Sequence, residues 1–393
     1  MRLTVTREVE IPDPFKLELY RKAPELGPRI LFFSGGSALR DTSREIIRYT
    51  RNSIHLITPF DSGGSSAILR KAFAMPAVGD IRNRLMALAD QSVQGNPEIY
   101  ALFAHRLPKD LGPDELRREA DAMASGAHPL VRCVPDPMRK IIRNHLHRFL
   151  EAMPDGFDLR GASIGNLVLT AGYLDNRRRI DPVIYIFSKL VQVCGVVRPT
   201  INKHLHLAAR LEDGRTVVGQ HRMTGKEAAP LTSPIKDIWI TGSLDDEAPV
   251  RPAIRNKVRE LIAGAGLICY PPGSFFTSVV ANLLPQGVGE AVARNPCPKV
   301  FAPNTGHDPE SHRLSVAAQV RILRDKLAGS GAAPGSTLDF VLLDLKNGDY
   351  PGGVNPQAIR RQGVKIIEAN LVTAESRPRL DARPLCEILA SLA

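Results

Sequence analysis

The sequence predicts an α/β fold, with a parallel sheet and crossover helices, a helical insertion and a small β accessory region. Two short apolar runs, Ile30–Phe33 and Ile54–Thr58, are each followed by a loop rich in glycine and serine and then by a segment of helical composition. This strand–loop–helix order, repeated within about 45 residues, is typical of parallel sheets. Further strand-like runs lie near the C-terminus, at Leu267–Tyr270, Lys299–Ala302, Asp339–Leu343 and Val364–Ile367. We therefore expect one sheet that is built from both ends of the chain.

The segment between these two groups of strands has a different composition. Residues 83–159 lack strand-like runs and are rich in Ala, Leu, Arg and His, which favours a mostly helical insertion. Asn166–Tyr173 favours a helix, and Val183–Cys194 fits a helix or a strand. Leu207–Gly219 has Asp213-Gly214 at its centre and predicts a hairpin, which a strand over Pro230–Trp239 would extend.

These patterns divide the chain into three parts. Residues 1–27 form a polar N-terminal arm, for which we expect an added edge strand. Residues 28–82 and 160–393 form the core, and residues 200–250 of it form the β accessory region. Residues 83–159 form the helical insertion.

The charge balance indicates an anionic partner. The 393 residues include 52 Lys and Arg against 41 Asp and Glu, a formal net charge of +11. The basic residues are dispersed, apart from Arg177–Arg179, and aromatic residues make up only 5%. Both features disfavour a nucleic-acid partner, since such proteins cluster their cations or offer aromatic stacking surfaces. Small phosphate-bearing ligands are the preferred interpretation.

Neither the apolar runs nor the cysteines indicate a membrane or secreted protein. No apolar run approaches the ~18 residues that a membrane-spanning helix needs, and residues 1–10 do not resemble a signal peptide. We therefore expect a cytoplasmic protein without a membrane partner. The five cysteines form no C-x-x-C motif, which argues against a zinc or redox site and fits a reducing compartment.

Two pairs of histidines, each two positions apart, are candidates for metal ligation. On a strand, His204 and His206 would share a face and could reach one ion. No cysteine or third histidine lies nearby in the sequence, so a role on the strand surface or in the core is favoured. His145 and His147 are expected on a helix, where positions two apart diverge.

Small residues follow the first predicted strand. Gly35, Gly36 and Ser37 lie between a buried strand and a helix, where glycines let the backbone approach a phosphate and the helix start offers free N–H groups. The loop matches neither G-x-G-x-x-G nor the Walker A motif. A tight turn without a ligand is the alternative.

The loop after the second strand carries more chemistry. It combines the carboxylate of Asp61 with two glycines and three hydroxyls, and Arg70 follows one helical turn beyond. Asp61 could bind Mg²⁺ or a reacting hydroxyl, or it could be a helix N-cap or a turn residue. Two such loops at neighbouring strand ends favour a ligand site.

Two further segments are candidates. In Gly79–Asn83, Asp80 could cap a helix that holds Arg82 in its first turn, where a cation suggests either an anionic ligand or an ordinary ion pair. Pro272–Ser278 is a third strand–turn–helix junction, in which Phe275 or Phe276 could stack on a base or lie in the core.

Several segments together resemble the superfamily of 2-phospho-L-lactate transferase (CofD) and the gluconeogenesis factor YvcK. The resemblance runs in order from Ile30 to Asn304. The motifs are more similar in sequence to those of the YvcK branch, and they are also similar to those of the CofD-related proteins of GAK gene cassettes. The segments that carry it are Phe33–Gly36, Asp61–Lys71, Gly79–Asp90, Ile164–Leu169, Arg198–Gly219 and Pro271–Val292.

The resemblance implies a Rossmann-like core with its ligand across the strand ends. CofD-type members transfer a phospholactyl group from a guanylyl-activated donor to a deazaflavin alcohol with Mg²⁺. YvcK-type members bind UDP-sugars and act in carbon metabolism and cell-wall control without an established reaction. Two hypotheses follow for this chain: a transferase that uses a nucleotide-activated donor, or a non-catalytic UDP-sugar sensor with a protein partner. A homo-oligomer is expected in either case.

The resemblance also implies roles for individual residues. Asp61 would hold the metal and, with Arg82, form the catalytic pair. The remaining residues expected to bind or support the nucleotide ligand are Gly35, Gly36, Ser37, Gly63, Gly64, Ser65, Ser66, Arg70, Asp80, Asn83, Asn166, Gly273, Ser274, Phe276, Thr277, Ser278 and Asn304.

The chain departs from the family pattern at four places. Ser34–Ala38 replaces Gly-Gly-Gly-Thr-Gly, Phe276 replaces a tyrosine and Ala162 replaces a histidine. Phe60 and Asp61 stand where two adjacent acids are usual. One carboxylate fewer argues against tightly held Mg²⁺ and favours the sensor.

Overall fold

The structure of the protein is a computed structural model that describes residues 8–225, 228–311, 314–333 and 337–393. The strands are β1 (Ile30–Ser34), β2 (Ile54–Ile57), β3 (Val196–Pro199), β4 (His206–Leu211), β5 (Thr216–Val218), β6 (Ile235–Thr241), β7 (Pro249–Val250), β8 (Leu267–Tyr270), β9 (Lys299–Phe301), β10 (Phe340–Leu343) and β11 (Lys365–Glu368).

The α-helices alternate with these strands and fill the segment between β2 and β3. They are α1 (Pro14–Lys22), α2 (Arg40–Ile46), α3 (Gly64–Phe73), α4 (Gly79–Ala87), α5 (Pro97–Ala104), α6 (Pro113–Ser125), α7 (Pro129–Arg132), α8 (Met138–Ala152), α9 (Ile164–Asp175), α10 (Ile180–Leu190), α11 (Asn256–Ala263), α12 (Ala281–Leu283), α13 (Val288–Arg294), α14 (Val316–Gly329), α15 (Pro356–Arg361) and α16 (Ala382–Leu392). Short 3₁₀ turns cover Pro24–Leu26 and Gln220–Arg222, and a π-helical segment covers Phe275–Val280.

The central sheet is parallel throughout, with the strand order β11-β10-β9-β8-β1-β2-β3. In the middle of the sheet, Leu31 lies opposite Ile54 on one side and Ile268 on the other. From β1 the chain builds outward to β3 at one edge, and from β8 it builds outward to β11 at the other edge. The strand order therefore reverses between β1 and β8. The α/β fold and the sheet built from both ends of the chain are confirmed.

Both faces of the central sheet are covered. Every residue of β1 is buried, as expected for a parallel strand with layers on each side. Ile30 and Phe32 belong to one apolar cluster and Leu31 and Phe33 to another, because successive side chains of a strand point to opposite faces. The second cluster also contains residues of a small antiparallel sheet, β5-β4-β6-β7, which includes the predicted hairpin.

Helices occupy two segments for which a strand was predicted or considered. The segment Val183–Cys194, which fits a helix or a strand by sequence, is largely helix α10. Residues 8–27 of the arm form helix α1 and no edge strand, and residues 1–7 lie outside the described part of the chain. Pro14 in the first turn and Asp13, whose carboxylate accepts the N–H of Lys16 at 3.0 Å, start this helix.

Within the described ranges, no helix has the length and apolar composition needed to cross a bilayer.

Candidate functional site

A cleft lies at the carboxyl ends of β1, β2 and β8, where the strand order of the sheet reverses. Open α/β sheets bind their ligands at this position. The cleft encloses about 780 Å³ and is open to solvent. Its described lining residues are 34–39, 61, 63, 80, 83, 220, 221, 224, 272–274, 278 and 279. The predicted site residues among them are Gly35, Gly36, Ser37, Asp61, Gly63, Asp80, Asn83, Gly273, Ser274 and Ser278.

The loop after β1 is packed closely against the rest of the cleft. A Cβ atom at Gly35 would overlap the hydroxyl of Ser278, and a Cβ atom at Gly36 would overlap the carboxylate of Asp80. A side chain at Gly35 would therefore displace Ser278, and one at Gly36 would move the carboxylate of Asp80, whether or not a phosphate is bound.

Arg84, which the sequence analysis missed, holds this loop from below. Its guanidinium is fully buried and donates to the carbonyl oxygens of Leu39 (2.7 Å), Gly35 (3.0 Å) and Gly36 (3.2 Å), and to the hydroxyl of Ser43. Burial lowers the pKa of Arg84 to about 10, so the side chain remains charged at neutral pH. The signal in the sequence was an arginine within an otherwise apolar helix face, between Ile81 and Leu85.

The loop after β2 presents Asp61 to the cleft. One carboxylate oxygen of Asp61 accepts the N–H of Gly63 at 3.1 Å. The N-cap of α3 is Gly63, with no side-chain cap, so the N-cap alternative for Asp61 is wrong. Gly64 has a φ of +48°, which glycine adopts without strain. His221, another residue that the sequence analysis missed, lies at the cleft and its Nδ1 is 2.8 Å from the hydroxyl of Ser62.

Asp80 supplies a second carboxylate to the cleft. The N-cap of α4 is Val78, so the predicted capping role of Asp80 is wrong: the helix starts two residues earlier than that role requires, and Asp80 lies in its first turn beside Gly36. A Cβ atom at Gly79 would lie 3.0 Å from the carboxylate of Asp61, so Asp61 reaches the start of α4. The cleft thus has two carboxylates from different elements, although only one acid follows β2.

Two predicted site arginines, Arg70 for ligand binding and Arg82 for catalysis, do not line the cleft. Arg70 donates to the carbonyl oxygens of Phe60 (3.0 Å) and Leu205 (2.5 Å). Arg82 donates to the amide oxygen of Asn83 (2.6 Å) and lies beneath the cleft. Burial lowers the pKa of both arginines to about 10. Both side chains therefore support cleft loops, and neither guanidinium faces the ligand space.

Further predicted residues also lie behind the lining. The amide of Asn166 donates to the hydroxyl of Ser65 at 3.0 Å and so supports the loop after β2. Ser66 packs against Gly79 at the start of α4. Asn304 accepts the N–H of Gly273 at 2.8 Å and fixes the loop after β8.

The aromatic pair after β8 belongs to the core. Phe276 is buried and packs edge-on against Phe275, with ring centroids 5.1 Å apart. The base-stacking alternative for these rings is wrong, since neither lines the cleft.

Two buried acids occupy the start of the π-helical segment. Asp308 accepts the N–H of Phe275 at 3.0 Å, and Glu310 accepts the N–H groups of Phe276 (3.0 Å) and Thr277 (2.8 Å) and the hydroxyl of Thr277 (2.5 Å). The N–H groups that a phosphate would use at this helix start are therefore bonded to protein carboxylates, and Thr277 lies away from the cleft. No local pattern in the sequence pairs these acids with a segment 33 positions away.

The sequence matches the family model described as "2-phospho-L-lactate transferase CofD" over residues 30–372. The chain belongs to the CofD family. A gluconeogenesis factor of Bacillus subtilis is 28% identical over 379 residues, which cover 93% of this chain and 98% of that protein. A gluconeogenesis factor of Halalkalibacterium halodurans is 28% identical over 277 residues, 70% of this chain and 66% of the relative. These similarities confirm the resemblance.

A solved structure has the same fold as this CofD family member. The crystal structure of a UPF0052 family protein from Bacillus halodurans has a TM-score of 0.68 and 23% sequence identity, and the superposition covers 92% of this chain and 99% of the other. At this identity the likeness concerns the fold alone.

Two groups of histidines in this CofD family member make contacts within the protein. The Nε2 atoms of His204 and His206 are 3.1 Å apart. Burial, as the larger cause, and the positive charge of Arg70, as the next, lower the pKa of His206 to about 3. Both histidines are therefore neutral, and His206 supports Arg70 through a contact with its guanidinium. Among the described residues, His105, Glu119 and His128 have ligand atoms within 4.8 Å of one another. Nε2 of His105 is 3.2 Å from a carboxylate oxygen of Glu119, and Nδ1 of His128 accepts an N–H as the N-cap of α7.

The buried carboxyl of Glu310 predicts a pH-dependent stability. Burial and the neighbouring Asp308 raise the pKa of Glu310 well above its usual value of 4.5. Above pH 4.5 and below this raised pKa the folded state holds a proton that the unfolded state has lost, so the free energy of unfolding should fall as the pH rises, by on the order of 1 kcal/mol per pH unit. Urea unfolding at several pH values from 6.5 to 8 would measure this slope.

The matched variants for this test are Glu310→Gln and, as the control, Glu260→Gln on the exposed surface. Glu310→Gln should flatten the slope and Glu260→Gln should leave it unchanged. An equal slope in both variants would show that Glu310 does not titrate in this range.

Proposed function

We propose that the protein binds a nucleotide with an activated phospho-group, together with Mg²⁺, and transfers that group to an acceptor, so that the bond between the group and the nucleotide breaks and the nucleotide is released. The observation that carries the proposal is that Asp61 and Asp80 both line the cleft at the strand-order reversal. The assignment as a CofD family member supports the same class of reaction.

The charge of the cleft favours a metal-bound nucleotide over a bare one. Asp61 and Asp80 line it, and its described lining contains no lysine or arginine. Two carboxylates repel a phosphate unless a divalent cation lies between them. Carboxylates and hydroxyls are hard oxygen donors of the kind that Mg²⁺ prefers, so the donor set fits this ion.

The backbone of the cleft suits the phosphates. Gly35 and Gly36 follow one central strand and Gly273 follows its neighbour, so main chain rather than bulky side chains faces the space on both sides of the reversal. Gly63 and Gly64 start the ten-residue helix α3, whose first N–H groups attract anions.

Phospho-group transfer requires this kind of arrangement and no covalent nucleophile. In-line displacement at phosphorus depends on positioning and on neutralisation of the charge on the transferred group. Asp61 and Asp80 would hold Mg²⁺, which supplies that neutralisation. Arg70 and Arg84 would fix the loops that orient the phosphates, through the carbonyl oxygens to which they donate.

A second candidate function has its own support. The curated relatives are named gluconeogenesis factors, and the motifs of this chain are more similar in sequence to those of the YvcK branch. The alternative proposal is a non-catalytic UDP-sugar-binding regulator of carbon metabolism or cell-wall synthesis, whose bound conformation a protein partner recognises.

A thermal-shift titration separates the two proposals. The full chain would be titrated with GDP, GTP, ATP and UDP-glucose, each with and without Mg²⁺. A ligand at 100 times its Kd should stabilise the fold by about 2.7 kcal/mol. A shift with a guanine nucleotide that requires Mg²⁺ supports the transferase, and a UDP-glucose shift indifferent to Mg²⁺ supports the regulator. No shift with any of the four would contradict both.

A further inference from the structure

A second cavity lies at the carboxyl end of the edge strand β3. The loop that follows β3 forms one wall, and the start of α11 forms the other. The cavity encloses about 470 Å³, and none of its lining residues lines the cleft described above. It is therefore a separate feature of the same edge of the sheet.

The second cavity is strongly basic. Its described lining includes Arg198, Lys203, Arg255 and Lys257, against the single carboxylate of Asp181. Arg198 is hydrogen-bonded to that carboxylate, and Arg255 lies 4.0 Å from it. One carboxylate neutralises one cation, so the described lining has an excess of three positive charges and no cation-binding role fits.

Asn202 is the observation that points to a bound ligand. It lines the second cavity, and both the amide nitrogen and the amide oxygen of its side chain are buried without a hydrogen-bond partner. Buried polar atoms are nearly always satisfied, so an unpaired amide beside a cavity indicates that the partner is a molecule from solution. The amide nitrogen offers two donors, which suit an anion.

The second wall of the cavity adds donors of its own. Helix α11 is eight residues long, and its N-cap, Arg255, makes no side-chain capping bond. The first N–H groups of α11 therefore lack a side-chain cap at the end of the helix that carries partial positive charge. Lys257 lies in this first turn, so main-chain and side-chain donors approach the cavity together.

We propose that the second cavity is a binding site for a phosphoryl group, separate from the nucleotide cleft. A dianion matches the excess of positive charge, the planar guanidinium of Arg255 offers paired donors, and the lysines add point charges. The described lining contains no aromatic side chain on which a base could stack, and the space is smaller than the cleft. The occupant is therefore inorganic phosphate or a small phosphate monoester and not a second nucleotide.

The test uses inorganic phosphate as the probe, with the full chain, without Mg²⁺ and at constant ionic strength. Calorimetric titration of the wild type should detect binding in the millimolar range or below. The double variant Arg255→Ala/Lys257→Ala should lose about tenfold or more in phosphate affinity. Asn202→Asp, which keeps the shape of the side chain and adds a negative charge, should lose a similar factor.

Two controls make the result specific. Arg251→Ala removes the same charge from an exposed position outside the cavity and should leave the affinity unchanged. Asp61→Asn alters the nucleotide cleft and should leave phosphate binding intact, so this result does not depend on the proposed transferase function. Absence of binding to the wild type, an equal loss in Arg251→Ala, or unchanged affinity in the double variant would each overturn the proposal.

A second titration identifies the source of the phosphoryl group. Glycerol 3-phosphate and inorganic phosphate would be compared on the wild type. Tighter binding of glycerol 3-phosphate assigns the site to phosphate monoesters, and tighter binding of inorganic phosphate assigns it to the free ion.

Discussion

Arg84→Met is expected to lower the free energy of unfolding by about 3 kcal/mol, because it leaves buried carbonyl oxygens without donors. Arg84 is fully buried, and it donates to Gly35 and Gly36 in the loop after β1. Methionine is similar in length but supplies no donor. Urea unfolding followed by circular dichroism would measure the loss.

The matched control for this prediction is Arg40→Met. Arg40 is exposed at the start of α2, so its replacement should change the free energy of unfolding by less than about 0.5 kcal/mol. Arg84→Lys should lie between the two, since one ammonium group keeps the charge but cannot span all the acceptors. Wild-type stability in Arg84→Met would show that the loop carbonyls find other partners.

Asp80→Asn is expected to weaken Mg²⁺-dependent nucleotide binding by about 100-fold, which corresponds to ~2.7 kcal/mol. The amide keeps the shape that fits against Gly36 but removes one of the two charges that would hold the metal. Asp61→Asn should have a similar effect, because its amide oxygen can still accept the N–H of Gly63 and keep the loop in place. Calorimetric titration with and without Mg²⁺ would measure both.

The control for the carboxylate variants is Asp41→Asn. Asp41 is an exposed acid in the first turn of α2 and does not line the cleft, so it reports the effect of lost helix-start charge alone. Its nucleotide affinity should match that of the wild type. If Asp61→Asn and Asp80→Asn also keep their full affinity in the presence of Mg²⁺, neither carboxylate binds the metal.

The central strands could be predicted from the sequence because each is a short apolar run followed by small polar residues. Ile30–Phe33 and Leu267–Tyr270 show this signal although they lie far apart in the chain. The cleft loops were also predictable, since Gly35, Gly36 and Gly63 follow such runs directly. These features depend on residues that are near one another in the sequence, so local sequence patterns predict them.

The support of the cleft could not be predicted in the same way. Arg84 and Glu310 act on segments that are 33 or more positions away, and no periodicity marks such pairs. The arginines Arg70 and Arg82 were assigned to the ligand because their charge suggests an anion, but their charge is met by main-chain and amide oxygens. Burial decided their role, and burial depends on the whole fold. The N-cap of α4 lies two positions before Asp80, at Val78, so a small shift of the helix start changed the role of Asp80.

The hydrogen bond from Asn282 to the carbonyl oxygen of Ser34 joins residues 248 positions apart, at the end of β1. During synthesis the ribosome needs roughly 10 to 50 s to add that length of chain, at ~5–20 residues per second. Until β8 emerges, one edge of β1 has no partner strand, and it is an exposed, apolar edge of the kind that aggregates. Nascent chains of this protein should therefore depend on chaperones until late in translation, and truncation before β8 should yield insoluble products.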